Sequence, residues 1–150
     1  MTHHYWKLPR MLLLHFVVMF AVMYTMVYSI SDVFINLNQF YMTMMMVLPM
    51  ALFMPLLMPS MYPDKKANLI IYLSSVVGFA AFLWFMRDQS FVADRQFLKS
   101  MIPHHSGAIL MCERAAISDS EIKDLCASIT QGQKKEIDQM KQILQRLEAN

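Results

Sequence analysis

Six residues in the last third of the sequence carry the donor atoms of a soft-metal site: Met101, His104, His105, Met111, Glu136 and Met140. Met101-x-x-His104-His105 sets thioether sulfur beside imidazole nitrogen. That pairing favours copper over magnesium or calcium, which take oxygen ligands, and over zinc, which more usually recruits cysteine or three histidines. Met111 lies one heptad past His104 and adds another sulfur on the same helix face. Glu136 supplies a carboxylate and Met140 a further thioether.

Donors so far apart in sequence need two elements to bring them together. The apolar pattern from Ser90 to Ala116 is helical, and a second helical pattern runs from Asp119 to Leu147. Between them Ser118-x-x-Glu121 reads as a capping box that starts the second helix. The expected product is an antiparallel helical hairpin. Its first helix turns inward Phe91, Asp94, Leu98, Met101, His105, Ala108, Cys112 and Ala115; its second turns inward Ile122, Leu125, Ile129, Gly132, Glu136, Met140, Ile143 and Leu147. The first stripe is apolar except at Asp94 and His105, and the second is interrupted at Gly132 and Glu136. With the turn near Ile117–Ser118, His104 falls level with Gln131 and Met101 with Lys134. Polar groups inside a seam need partners. A metal shell is one answer. A histidine hydrogen-bonded in the core is the other, because neighbouring histidines point about 100° apart on a helix. Pro103 should kink the first helix. Cys112 and Cys126 read first as small core residues, with a bridge left open.

The rest of the chain is of a different kind. Of the 150 residues, 57% are hydrophobic and 16% charged, far below the ~25% charge of a soluble domain. From Arg87 onward nine Lys/Arg balance nine Asp/Glu, whereas the first 86 residues hold only Lys7, Arg10, Lys65 and Lys66 against Asp32 and Asp64. The boundary is therefore placed at 86/87, with a membrane anchor over 1–86 and a soluble hairpin over 87–150. Three apolar segments, Met11–Ile30, Phe40–Met58 and Asn68–Met86, have the length of membrane-spanning helices. The basic residues place the N-terminus and the loop between the second and third segments in the cytoplasm, and the hairpin outside it. A multi-pass protein of the plasma (inner) membrane is expected, with its hairpin extracytoplasmic or periplasmic. The neutral soluble part has no basic stripe, so nucleic acid is not an expected partner. Methionines at 42, 46, 50, 54 and 58 form a ladder along the second segment, and His15, Met19, Met23 and Met26 share roughly one face of the first. A soft-metal path and flexible apolar packing both fit these stripes. His15 is an ionisable residue inside a span, though within about a turn of the basic end.

Phe97-x-x-x-Met101-Ile102-Pro103-His104-His105, followed by Ala108-Ile109, Glu113-Arg114-Ala115, Leu125-x-x-x-Ile129, Gln133 and Glu136-Ile137-x-x-Met140, resembles the domain of unknown function 305 family over about residues 90 to 148. The resemblance implies a ferritin-like helical fold and, for some members, extracytoplasmic copper binding. By position it makes Met101, His104 and His105 the motif ligands, with Glu136 and Met140 in support. The chain has one copy of the unit, half of a four-helix bundle, so a homo-oligomer is expected.

The functional expectation is a membrane-anchored protein that binds a copper ion outside the cytoplasm for sequestration or handling, with lipid, metal and further copies of itself as partners. Two alternatives are a component of a copper transport assembly that uses the methionine ladder, and a structural or sensory bundle whose histidines respond to pH. An enzyme is not expected: a metal oxidase of the di-iron type uses Glu-x-x-His pairs, and none occurs.

Overall fold

The computed structural model describes residues 5–149; of the expected ranges 1–86 and 87–150, residues 1–4 and 150 lie outside it. Among the described residues there are five α-helices and no strand: α1 Lys7–Val22, α2 Leu37–Leu57, α3 Lys65–Asp88, α4 Asp94–Arg114 and α5 Ser120–Glu148. A short 3-10 turn, Ile30–Asp32, interrupts the connection between α1 and α2. The chain divides into two compact units, one of residues 1–23 and 38–91, the other of residues 24–37 and 92–150.

In the first unit, Asp64 caps α3 by accepting from the Lys66 and Ala67 amides. Tyr5 ties the start of α1 to the same end, donating to Asn68 Oδ1 at 2.8 Å and accepting from the Asp64 amide at 3.0 Å. At the opposite end Asn38 bonds Gln89, and the Tyr41 hydroxyl bonds the Ser90 carbonyl at 2.8 Å. The helices therefore alternate in direction, with Lys7, Arg10, Lys65 and Lys66 gathered at one end. Phe16, Phe40, Phe82 and Phe85 pack ring on ring between them. Leu48 of α2 sits against the backbone of α3 at Gly78, where a Cβ would come within 3.1 Å of its side chain.

Among the described residues two helices, α2 and α3, are long and apolar enough to cross a membrane, rather than the three segments expected. The first segment was expected over Met11–Ile30, but α1 stops at Val22 after 16 residues. At ~1.5 Å per residue it is shorter than the ~30 Å hydrocarbon layer. The reason lies beyond it. Residues 24–37 carry Tyr24, Tyr28, Asp32 and Asn36, whose polar atoms bond within the second unit. Hydropathy counts tyrosine, valine and methionine as apolar and cannot see those partners.

In the second unit, α4 begins at Asp94 rather than Ser90, after Gln89 and Phe91 adopt left-handed backbone with φ of 53° and 62°. The cap of α5 is Asp119, which accepts from the Ile122 amide; Ser118 lies outside the helix. Leu98, Ile102, Ile109, Ile137, Met140 and Leu144 form the core, with Phe34 and Met101 packed against it.

Candidate metal centre

The contacts between α4 and α5 run in opposite chain order. Lys99 pairs with Glu148, His105 with Glu136 and Glu113 with Lys134, each at 3.0 Å. The Arg95 guanidinium donates to the Leu147 carbonyl, and a disulfide joins Cys112 to Cys126 across a Cα–Cα distance of 5.2 Å. The two cysteines are thus bridged, where composition alone gave preference to separate core residues. The register also differs from expectation: Lys134 meets Glu113 rather than lying level with Met101. Residues 115–119 are spent in an extended connection between Arg114 and the Asp119 cap, which moves the turn and slides α5 along α4.

The buried face of α4 is wider than a hairpin seam, because residues 24–37 cover its second side as a strap. Ile102, Pro103, Ser106, Gly107 and Ile109 are buried, while Phe91, Asp94 and Ala115, expected to face inward, are exposed. On α5, Ile122 and Leu125 are likewise exposed near the connection. The strap is held by a polar network that the sequence did not announce. The Tyr28 amide donates to Ser106 Oγ at 2.8 Å, and Ser106 Oγ donates to Asp32 Oδ2 at 2.6 Å. Lys141 of α5 closes on Asp32 Oδ1 at 2.6 Å, with the Asp32 side chain 6% exposed. Asn36 donates to the Lys99 carbonyl and Gln96 accepts from the Leu37 amide. Gly107 lets the strap pass close, since a Cβ there would lie 3.3 Å from the Met26 carbonyl. Asp32 stood out in the sequence only as a lone loop charge; a single acid in an otherwise apolar stretch was the one available signal.

Against this frame the six candidate donors separate. His105 is half-buried, and its Nδ1 lies 3.0 Å from Glu136 Oε2. That is ion-pair distance without hydrogen-bond alignment, so the buried Nδ1 has no hydrogen-bond partner. Burial is the main influence on this imidazole and pushes its pKa below 6.5; Glu136 pulls the other way and His104 adds to the lowering. Burial thus favours the neutral ring, the form that binds a metal. Met101 and Met140 both pack into the core one helical turn from the His105–Glu136 pair. His104 is exposed on the flank, its ring centroid 6.0 Å from that of His105. Met111 is exposed nearly two turns away toward the connection and does not join the others. Gln133, one turn before Glu136 on α5, contributes a second buried polar atom without a partner, its Oε1.

The donor chemistry is thus thioether, imidazole and carboxylate, with an amide oxygen nearby. Among the described residues no three His, Cys, Asp or Glu side chains converge. Among those residues the usual nitrogen, thiolate and oxygen shells of zinc and di-iron sites are therefore not formed.

Two comparisons bear on the chain. The model of the family described as Domain of unknown function (DUF305) matches residues 86–144, which takes in α4 and most of α5. The mimivirus protein L153, from Acanthamoeba polyphaga mimivirus and described as uncharacterized, is 35% identical over 118 residues, covering 77% of this chain and 76% of its own. A match of that length necessarily extends over α2 and α3 as well. No solved structure matches.

Proposed function

The chain belongs to the DUF305 family, and from that premise we propose that it is a membrane-anchored, non-enzymatic protein that binds a copper ion outside the cytoplasm, for sequestration or handling. The observation that carries the reading is the His105 Nδ1: buried, 3.0 Å from Glu136 Oε2 without hydrogen-bond alignment, and one turn from two thioethers. Buried polar atoms are ordinarily satisfied, and an orphan asks for a ligand. Thioether and imidazole together suit copper.

In this reading His105 supplies the nitrogen and Met101 and Met140 supply sulfur. Glu136 orients the imidazole and offsets positive charge on the bound ion. His104 closes the site from the solvent side. One chain offers few donors, so a second copy completes the shell in a ferritin-like four-helix arrangement of two hairpins. The exposed apolar side chains of Met111, Ile122 and Leu125 give that copy a surface to cover.

Lipid is the proposed solvent for the first unit. Only 6% of the apolar window of α3 is buried within the chain and 28% of that of α2, where the core helix of a soluble protein would be mostly covered. The basic end of this unit then faces the cytoplasm, and the chain leaves α3 at the other end. A disulfide agrees with that placement, because such bridges persist in oxidising compartments.

The test is metal analysis of the full-length protein in detergent after equilibration with Cu(I) or Cu(II) and desalting. Wild type should retain copper, and His105→Ala together with His104→Ala should retain less. Absence of copper from the wild type under both conditions would remove the proposal.

A further inference from the structure

The methionine ladder of α2 is not one continuous surface. Met46, Met50, Met54 and Met58 line a single open groove of about 550 Å³, with Pro49 and Phe53 beside them. Every residue lining it belongs to α2 or follows it directly. Met42 begins the same ladder but stays outside the groove.

Three properties distinguish this groove from ordinary apolar packing. Its sulfurs recur at i and i+4, where side chains on a helix meet with about 5–6 Å between Cβ atoms. Methionine has three rotatable bonds, so neighbouring thioethers of such a row can turn toward one point. The helix carries prolines at two positions within the row, Pro49 and Pro55. A proline inside a helix leaves the carbonyl four residues earlier without its amide donor. Here those are the carbonyls of Met45 and Ala51.

From this placement we infer that the α2 groove is a second metal site, selective for a soft monovalent d¹⁰ cation, Cu(I) or Ag(I), held by Met50 together with its i±4 neighbours Met46 or Met54, with Met58 at the C-terminal end of the groove. Thioethers bind such ions as neutral donors, so the site works without deprotonation and without a charged side chain in an apolar setting. Divalent zinc, magnesium and calcium, which require nitrogen, thiolate or oxygen shells, are excluded by the same chemistry. The inference does not rest on the His105 centre, and it stands or falls separately.

Silver is the probe, because it is soft, monovalent and stable in air. The full-length protein in detergent, carrying His104→Ala and His105→Ala to silence the other centre, is equilibrated with Ag(I), desalted and analysed for bound silver. Met50→Leu with Met54→Leu is then compared with Met44→Leu and Met45→Leu, which lie on α2 outside the groove. Leucine conserves volume and helix preference, so both variants keep the fold, and helical content by circular dichroism checks it. The expected result is bound silver in the parent, its loss in the groove variant and its retention in the control, with zinc bound by none. X-ray absorption at the silver edge should show sulfur neighbours. No bound silver in the parent, or equal loss in groove and control variants, would overturn the inference even if the His105 centre binds copper.

Discussion

Asp32 offers the sharpest test of how the second unit is built. Its carboxylate is buried, accepts from Ser106 on one oxygen and meets Lys141 on the other. Removing one partner of a buried pair strands the other, typically at a cost of about 3–5 kcal/mol. Here the two ends differ. The Lys141 side chain is 27% exposed and the Asp32 side chain 6%. Lysine can therefore turn to water when aspartate is lost, whereas aspartate cannot when lysine is lost. Lys141→Met should accordingly destabilise the strap by about 3 kcal/mol. Asp32→Asn keeps an acceptor for Ser106 and should destabilise it by only about 1–2 kcal/mol. The Tyr28 amide reports the event directly, since its acceptor is Ser106 Oγ. Amide hydrogen exchange at Tyr28, measured on the full-length protein in detergent, should accelerate on the order of 100-fold in Lys141→Met, given 1.36 kcal/mol per factor of ten. The combined variant should fall short of the sum, because the two residues share one interaction. Exchange at Tyr28 unchanged in Lys141→Met, or equal acceleration in both single variants, would refute the reasoning.

Four further outcomes follow from the geometry. Gly132→Ala should raise the unfolding midpoint by about 0.5–1 kcal/mol, since nothing lies within 4 Å of an added Cβ. Gly107→Val should lower it, because its side chain enters the path of the Met26 carbonyl at 3.3 Å. Opening the Cys112–Cys126 bridge with a dithiol should weaken the α4–α5 pair by about 2–3 kcal/mol, as expected for a sequence separation of 14, read as a shift in the denaturant midpoint. The fold should also lose stability as pH falls from 7 toward the depressed value of His105. Below 6.5 the unfolded chain takes up a proton that the buried imidazole still refuses, so the unfolded state gains. His104 and Glu136 are the neighbouring charged or titratable groups that act on this imidazole. The acid limb of stability in metal-free protein should flatten in His105→Gln.

What could be read beforehand follows the range of the interactions. The all-helical character of the described residues comes from local pattern, and it is present. The second C-terminal helix was read to within one residue at each end, whereas the first, read as Ser90–Ala116, is six residues shorter. The strap was not legible, because Asp32 and Lys141 are 109 positions apart and no periodicity links them. Its absence from the reading explains two errors together: the first apolar segment was run eight residues past Val22, and α4 was given only one buried face. At the candidate site, His105 and Glu136 were placed near each other by their interruption of two seams. Met111 was carried along by heptad arithmetic, which fixes a helix face but not the distance along it.

The strap also sets an order of events during synthesis. Its residues are made before α2 and α3, whereas Lys141 appears 109 residues later. At ribosomal rates of ~5–20 residues per second, Asp32 waits roughly 5–20 s for its counter-charge. Through that interval the apolar helices between them in sequence are already finished while the carboxylate still lacks its lysine. Docking of α5 on the strap is therefore a late, non-local step. A ribosome that stops short of Lys141 leaves a chain with its apolar half complete and its polar half unlatched, the species a quality-control protease would meet first.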